Sequence, residues 1–439
     1  MFKETSKELL DFLSKSPTAF HAVENYRQIL NADGFKELLE SEHWNIVPGG
    51  KYYVTRNNTS ILAFKVGTKL DNYSFNIVTS HTDSPTFKVK ENAEIEVKNK
   101  YTQLNTEGYG GMLCATWLDR PLSIAGRVLV SEGNSIVTKL LNIDRDLLMI
   151  PNVAIHMNRA ANDGFKYNLQ VDMLPLLSGG DDRQKDFKQI IADELGVKKE
   201  DILGHDLYLY NRMAPSIWGA NEEFISSGHL DDLQCGFASL KALLASYNDE
   251  SIDIMACFDN EEVGSGTKQG ADSTLLRDTL TRINSALGKT EEDYHRALAS
   301  SFMLSADNAH AVHPNHPEHT DVTNCTYMNE GVVVKSHAGQ KYTSDGVSMA
   351  VVKSLASGAD VPLQYFANRS DKAGGSTLGN IAMAQASMNA VDIGLPQLAM
   401  HSSYETAGIK DTYYAISLMK ALFDSHIQET STHSLEIKR

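Results

Sequence analysis

Leu9, Phe12 and Leu13 recur at helical spacing in MFKETSKELLDFL, with Glu4, Glu8 and Asp11 between them. This pattern predicts an amphipathic helix over about 5–14. A second helix is expected at 18–32, and strand-like runs follow at 52–55, 61–66 and 75–79. From about 87 to 171 Val, Ile, Thr and Lys alternate in short stretches (EIEVKN, RVLVSE, SIVTKL). Turns at Glu132-Gly133-Asn134 and Asn162-Asp163-Gly164 interrupt them, so this block reads as an all-β unit. A helix at 186–195 and a strand at 206–211 follow. Beyond Ser227 helices and strands alternate. Helices are expected at 233–246, 273–284, 347–357, 378–389 and 407–422, and strands at 252–258, 301–304, 332–334, 363–367 and 391–397.

Such alternation implies an α/β fold with a mainly parallel sheet covered on both faces. The block 92–227 interrupts it and is too long and too regular to be a loop. Two domains are therefore expected. One is a discontinuous α/β unit of 1–91 and 228–439, and the other is the β-rich insertion 92–227. The length of 439 residues suits two domains. Apolar residues at 42% and charged residues at 22% give an ordinary globular balance with material for a large core.

Charge narrows the partners. Lys+Arg is 40 and Asp+Glu is 56, a net charge of −16, which disfavours nucleic acid and anionic membranes. Apolar runs such as 254–258 fall far short of the roughly 20 residues a membrane span needs. The charged N-terminus does not read as a secretory signal. Cys114, Cys235, Cys257 and Cys325 lack CxxC spacing and are expected as free, mostly packed thiols in a reducing cytoplasm.

In open α/β sheets, ligands bind where strands end. The run 75–79 leads into Ser80-His81-Thr82-Asp83, and 252–258 leads into Asp259-Asn260-Glu261-Glu262. The run 301–304 leads into Ser305-Ala306-Asp307, and 391–400 into His401. Asp231 precedes the helix beginning near Leu233. Two histidines and three or more carboxylates on one edge suit a dinuclear metal site. Borderline divalent ions take imidazole nitrogen and carboxylate oxygen. Two ions roughly 3.5–4 Å apart need a bridging carboxylate. The pair Glu261-Glu262 could supply one ligand and one general base. The HxD spacing of His81 and Asp83 suits a carboxylate that orients a ligand imidazole.

Each residue also has a plainer reading. His81 or His401 alone would be a hydrogen-bonded strand end, Glu261-Glu262 a solvated loop, and Asp231 a helix N-cap. The cluster His310, His313, His316 and His319 is a rival site, but Pro314 and Pro317 make it read as a loop. Ala373-Gly374-Gly375-Ser376-Thr377 opens a helix and reads mainly as its cap.

These residues lie in an ordered series of segments. They include SPTAFHAV (16–23), SHTDSP (80–85), YGGMLCATWLDRPLSIAGRV (109–128), PNVAIHMNR (151–159) and LDDLQC (230–235). DNEEVGSGTKQGA (259–271), SADNAHAVHPN (305–315), FANRSD (366–371), GGSTLG (374–379) and PQLAMHSSYETAG (396–408) follow. The series resembles the aspartyl aminopeptidase family of dinuclear zinc peptidases, which includes the vacuolar aminopeptidase I of yeasts. The resemblance implies an aminopeptidase-type mixed sheet flanked by helices, with the β-rich insertion as a dimerisation domain and dimers assembling to a dodecamer. It implies two divalent ions per subunit, zinc first, with manganese and cobalt also suited. His81 and Asp307 would complete one ion's shell and Glu262 and His401 the other's, with Asp231 bridging. Glu261 would be the general base and Asp83 would orient His81. His156 would reach a neighbouring subunit's site, and Lys335 would face acidic side chains at the first residue of the substrate. The sequence departs from many relatives at Gly228-His229, which bears on loop geometry.

The expected function is a cytoplasmic metal-dependent aminopeptidase releasing single N-terminal residues from peptides, with preference for Asp or Glu. The rivals are a related dinuclear aminopeptidase of other specificity, neutral residues included, and a non-catalytic assembly protein with a structural metal site. A spare base such as Glu261 beside Glu262 argues against the last.

Overall fold

The computed structural model describes residues 1–180 and 186–439. The fold is α/β. A nine-stranded mixed sheet runs in the order Lys36–Leu38, Lys51–Arg56, Ser60–Val66, Ser251–Phe258, Ser74–His81, Phe302–Ala306, Asn389–Gly394, Val332–Lys335, Leu363–Phe366. The three central strands Ser251–Phe258, Ser74–His81 and Phe302–Ala306 are mutually parallel, so their carboxyl ends share one edge.

Side chains alternate across this sheet because successive Cβ atoms point to opposite faces. Ala63, Met255 and Cys257 join a core with the helices Phe2–Ser14, Ala19–Ala32, Leu230–Ala245 and Asp411–Phe423. Leu62, Phe64, Ile254 and Ala256 join another with Leu275–Ala286 and Leu378–Gln385. The whole Ser251–Phe258 strand is therefore buried. The first helix buries Leu9, Phe12 and Leu13, the stripe its spacing predicts.

A second, six-stranded antiparallel sheet spans Thr86 to Asn211 in the order Ser135–Asn142, Leu122–Glu132, Ile202–Asn211, Thr86–Val97, Tyr101–Tyr109, Leu176–Gly179. It has its own core, with Phe87, Trp117, Ile124 and Leu207 packed beside the Phe187–Leu195 helix. A third sheet pairs Ser216–Trp218 and Phe224–Ser227 with Glu405–Gly408, Pro396–Leu398 and Ala309–His310. It joins the chain on both sides of His401 to the strand that enters the Leu230–Ala245 helix.

The structure corrects several expected elements. The helix expected at 378–389 ends at Gln385, and Asn389 opens a strand. The strand expected at 391–397 is two strands in different sheets, Asn389–Gly394 and Pro396–Leu398. The helix expected from 407 starts at Asp411, because Glu405–Gly408 is a strand. The β pattern expected up to 171 gives way after Asn142 mostly to turns. Glu291–Ala299 is a helix that the patterning did not single out. Among the described residues, no helix is long and apolar enough to cross a membrane.

Candidate metal centre

The common edge of the central strands gathers the ionisable residues. His81 is the last residue of Ser74–His81 and pairs with Phe258 across the sheet. Glu261 and Glu262 open a 3-10 turn just beyond Phe258, and Asp307 follows Ala306 directly. Asp231 lies at the start of the Leu230–Ala245 helix, in a stretch where Asp231 and Asp232 leave helical geometry. Its carboxylate does not cap the helix. It turns to the imidazoles, with Oδ1 3.5 Å from His81 Nε2 and Oδ2 3.5 Å from His401 Nε2. His401 Nε2 is also 3.4 Å from Glu262 Oε2.

Donor atoms of His81, Asp231 and Asp307 fall within 4.8 Å of one another, as do those of Asp231, Glu262 and His401. The two groups share Asp231. Ligands of one tetrahedral zinc stand about 3.3 Å apart, given bonds of roughly 2.0–2.2 Å. The separations of 3.4 and 3.5 Å match that spacing. Buried acceptors normally carry a partner, yet Asp231 Oδ1 and Glu262 Oε1 accept no hydrogen bond. The residues present therefore fit a pair of divalent ions.

Electrostatics agree. Burial, with Asp231 adding to it, raises the Glu262 carboxyl above its usual range. Burial pushes Glu261 up to about 8, with Asp307, Asp83 and Asp231 adding and His81 opposing. Burial likewise raises Asp307. Burial disfavours the charge on His401, but Asp231 and Glu262 outweigh it and raise the imidazole to about 10. Burial opposes ionisation of Asp231, yet His401 and His81 hold it below the usual carboxylate range. So many acids crowded out of water call for cations among them.

Supporting contacts fix the donors. His81 Nδ1 lies 3.0 Å from the Asp83 carbonyl oxygen and 3.5 Å from Asp83 Oδ1. The Asp83 carboxylate accepts the Glu261 and Glu262 N–H groups at 3.1 and 3.2 Å and the Tyr109 hydroxyl at 2.7 Å. His401 Nδ1 lies 2.9 Å from the Gly111 carbonyl oxygen. Gly110 makes that approach workable: its φ is +73°, and a Cβ there would sit 3.1 Å from Glu262 Cβ. Glu405 is buried and accepts the backbone N–H of Asp231 at 3.0 Å and of His401 at 2.8 Å. Tyr109, Gly111 and Glu405 carry no role in the sequence reading. The signal that points to them lies in the YGG (109–111) and HSSYE (401–405) segments.

The centre opens on a cleft of about 380 Å³, lined among others by Glu261, His310, Lys335, Tyr342, Phe366 and Thr377. Lys335 ends its strand and is only 4% exposed. Its ammonium donates to the Asn308 carbonyl at 2.8 Å and lies 3.6 Å from Asp307 Oδ1. Burial works against its charge, but Asp307 and Tyr342 hold its pKa above the ordinary lysine value. Thr377 does not cap its helix with its side chain. Its hydroxyl donates to Asp392 Oδ1 at 2.5 Å. His156 lies in an exposed turn segment and does not line this cleft.

The sequence profile of the family described as "Aminopeptidase I zinc metalloprotease (M18)" matches residues 12–423. A probable M18 family aminopeptidase 2 from Clostridium novyi (strain NT) is 48% identical over 425 residues, covering 95% of this chain and 98% of the relative. Another, from Stutzerimonas stutzeri (strain A1501), is 39% identical over 431 residues, covering 97% and 99%. Among solved structures, one of the Ape4 and Nbr1 complex has a TM-score of 0.93 at 35% identity, covering 96% of this chain and 86% of that one. Yeast aminopeptidase 1 (Ape1) has a TM-score of 0.84 at 28% identity, covering 96% and 97%. A profile match over nearly the whole length, relatives of equal span and a shared fold lead to one conclusion: the chain belongs to the aminopeptidase I (M18) family of zinc metalloproteases.

Proposed function

We propose that this M18 aminopeptidase binds two divalent ions per chain, zinc first, and releases single N-terminal residues with a preference for Asp or Glu. The observation that carries the reading is Asp231, which turns one oxygen to His81 and the other to His401. In this reading Asp231 would be shared by both ions, His81 and Asp307 would hold one, and Glu262 and His401 the other. When bound, such ions supply Lewis-acid polarisation of the scissile carbonyl, a seat for the free amine and a water of lowered pKa.

The protein's own groups supply the rest. Glu261 lines the cleft, and its carboxylate also groups with His81 and Glu262 within 4.8 Å. In this reading the two shells are complete without it, which leaves it free to act as the base. It takes a proton from the attacking water and returns it to the leaving amine. Asp83 holds the Glu261 N–H and faces the outer nitrogen of His81, which fixes base and ligand relative to each other. Lys335, charged and buried at the cleft wall, pairs with an acidic first side chain.

The wider assembly is part of the same proposal. The unit 92–227 makes dimers, His156 on its exposed segment reaches a neighbouring site, and dimers form a dodecamer. One relative, mApe1 of S. cerevesiae, has been solved as a dodecamer at 28% identity to this chain. The four free thiols fit a cytoplasmic setting.

The test compares an unblocked Asp-terminal dipeptide with its N-acetylated twin, before chelation, after it and after metal add-back. Cleavage of the free-amine peptide alone, lost on chelation and restored by metal, is expected. Cleavage of the acetylated twin at an equal rate would refute the aminopeptidase assignment of the cleft.

A further inference from the structure

The segment His-Pro-Asn-His-Pro-Glu-His (313–319) takes no part in the cleft chemistry. Its prolines do exclude an α-helix, but the segment is not an irregular loop. Pro317–His319 is a short 3-10 helix. His316 N–H donates to the His313 carbonyl at 3.0 Å and His319 N–H to the His316 carbonyl at 3.2 Å. These are two successive three-residue turns, in which side chains three apart eclipse. The three imidazoles therefore stand in one column, with ring centroids 5.4 Å apart at both steps and interplanar tilts of 37° and 31°. Glu318 points its Oε1 among them, 3.1 Å from His316 Nδ1 and 3.9 Å from His319 Nε2.

We propose that His316, Glu318 and His319 form a separate site for a divalent transition ion that favours imidazole, such as zinc, nickel or copper. One donor atom from each lies within 4.8 Å of the others. Tetrahedral ligands of such an ion stand about 3.3 Å apart. The His316–Glu318 pair at 3.1 Å is close to that already, and the exposed His319 side chain needs only a small rotation from 3.9 Å. A neutral His316 ring binds through Nδ1 with its proton on Nε2. His313 is not a ligand. Its Nδ1 lone pair is taken by the Asn315 N–H at 3.2 Å. Water completes the shell.

The turn is held before any ion arrives. Thr320 Oγ1 donates to the Pro317 carbonyl at 2.8 Å. The Arg369 guanidinium donates to the Glu318 carbonyl and pairs with Asp371 at 2.9 Å. Arg369 lines a cavity of about 560 Å³ with Ala367 and Asn368, in the stretch that runs from Phe366 to Gly375 on the cleft wall. An ion on the turn is thus one hydrogen bond from the segment that continues from Phe366 of the cleft wall.

The test loads the full-length protein with two equivalents of zinc per chain, removes free zinc, and then titrates Ni²⁺ into it by calorimetry. Wild type is expected to take up one further equivalent per chain. His316→Ala/His319→Ala should lose it, Glu318→Gln should weaken it, and His313→Ala should keep it. Circular dichroism of these surface variants should be unchanged. With Cu²⁺ as probe, electron paramagnetic resonance should show coupling to two imidazole nitrogens. No extra equivalent in wild type, or one that survives in the double variant, would overturn the site. Loss in His313→Ala alone would overturn the ligand set. None of these readouts requires peptide hydrolysis.

Discussion

The Tyr109 hydroxyl, at the end of a strand of the six-stranded sheet, donates to Asp83 Oδ2 at 2.7 Å. Asp83 sits at the edge of the other large sheet, beside His81 and under the backbone of Glu261 and Glu262. Asn260 Nδ2 donates to the same hydroxyl at 2.8 Å. One phenol thus links the β-rich sheet to the carboxylate that faces His81. Replacing Tyr109 by Phe keeps the ring's edge contact with Tyr208 at 5.7 Å and removes only the hydroxyl. Support of this kind for a metal ligand is worth about 10–100-fold in metal affinity or activity. Tyr109→Phe should lose that much metal affinity in a chelator competition, with unchanged secondary structure. Wild-type affinity would show that Asp83 is held well enough by the two N–H groups.

Glu261→Gln keeps the shape and removes the base. Peptide turnover should fall by about 10²–10⁴-fold in kcat, while the number of metal ions bound per chain stays the same. Elemental analysis beside steady-state kinetics separates the outcomes. Loss of an ion together with activity would make Glu261 a ligand.

Lys335→Met keeps the aliphatic stem and removes the charge. A charge-assisted hydrogen bond is worth about 1.5–3 kcal/mol, or roughly 10–150-fold. The kcat/KM ratio of Asp- to Leu-terminal peptides should fall by that factor, through the Asp substrate. Equal or better turnover of Leu by the wild type would refute the acidic preference outright.

Asp411 offers a pH test away from the cleft. Burial pushes its carboxyl from 3.8 up to about 7, against the N–H groups of Asn329 and Gly331 that pull it down. The unfolded chain therefore releases this proton first as pH rises. Stability from this group is highest below about 4, falls between about 4 and 7, and is level above that. Asp411→Asn removes the slope. In urea melts at pH 5 and pH 8, wild type should lose stability relative to the variant at the higher pH, by a few kcal/mol at most (about 1.4 per pKa unit). Parallel behaviour of the two proteins would show that Asp411 ionises normally.

The chemistry was legible where it is local. His81, Glu261, Glu262 and Asp307 each follow a strand-like run, and a strand's end is visible in a few residues. Parallel strands then carry those ends to one edge without further instruction. The helix stripe of Leu9, Phe12 and Leu13 is equally local. Where two local patterns compete, the sequence alone does not settle the element. Residues 391–397 read as one strand, yet tertiary pairing splits the stretch between two sheets, Asn389–Gly394 and Pro396–Leu398. Asp231 has the look of an N-cap, but His81 and His401 draw its carboxylate away from the helix.

By itself, then, the sequence determined the α/β character, the β-rich block and the residue types of the candidate metal centre. Period and strand-end chemistry are carried by neighbouring residues, so they can be read along the chain. Only the tertiary structure decided which oxygen faces which imidazole, and that Tyr109, Gly111 and Glu405 hold the donors in place. It also decided that His313, His316 and His319 form a column. Gly111 and His401 are 290 residues apart, and Asp231 and Glu405 are 174 apart. Hydrogen bonds over such separations depend on how whole sheets pack, and they leave no periodic trace in the sequence.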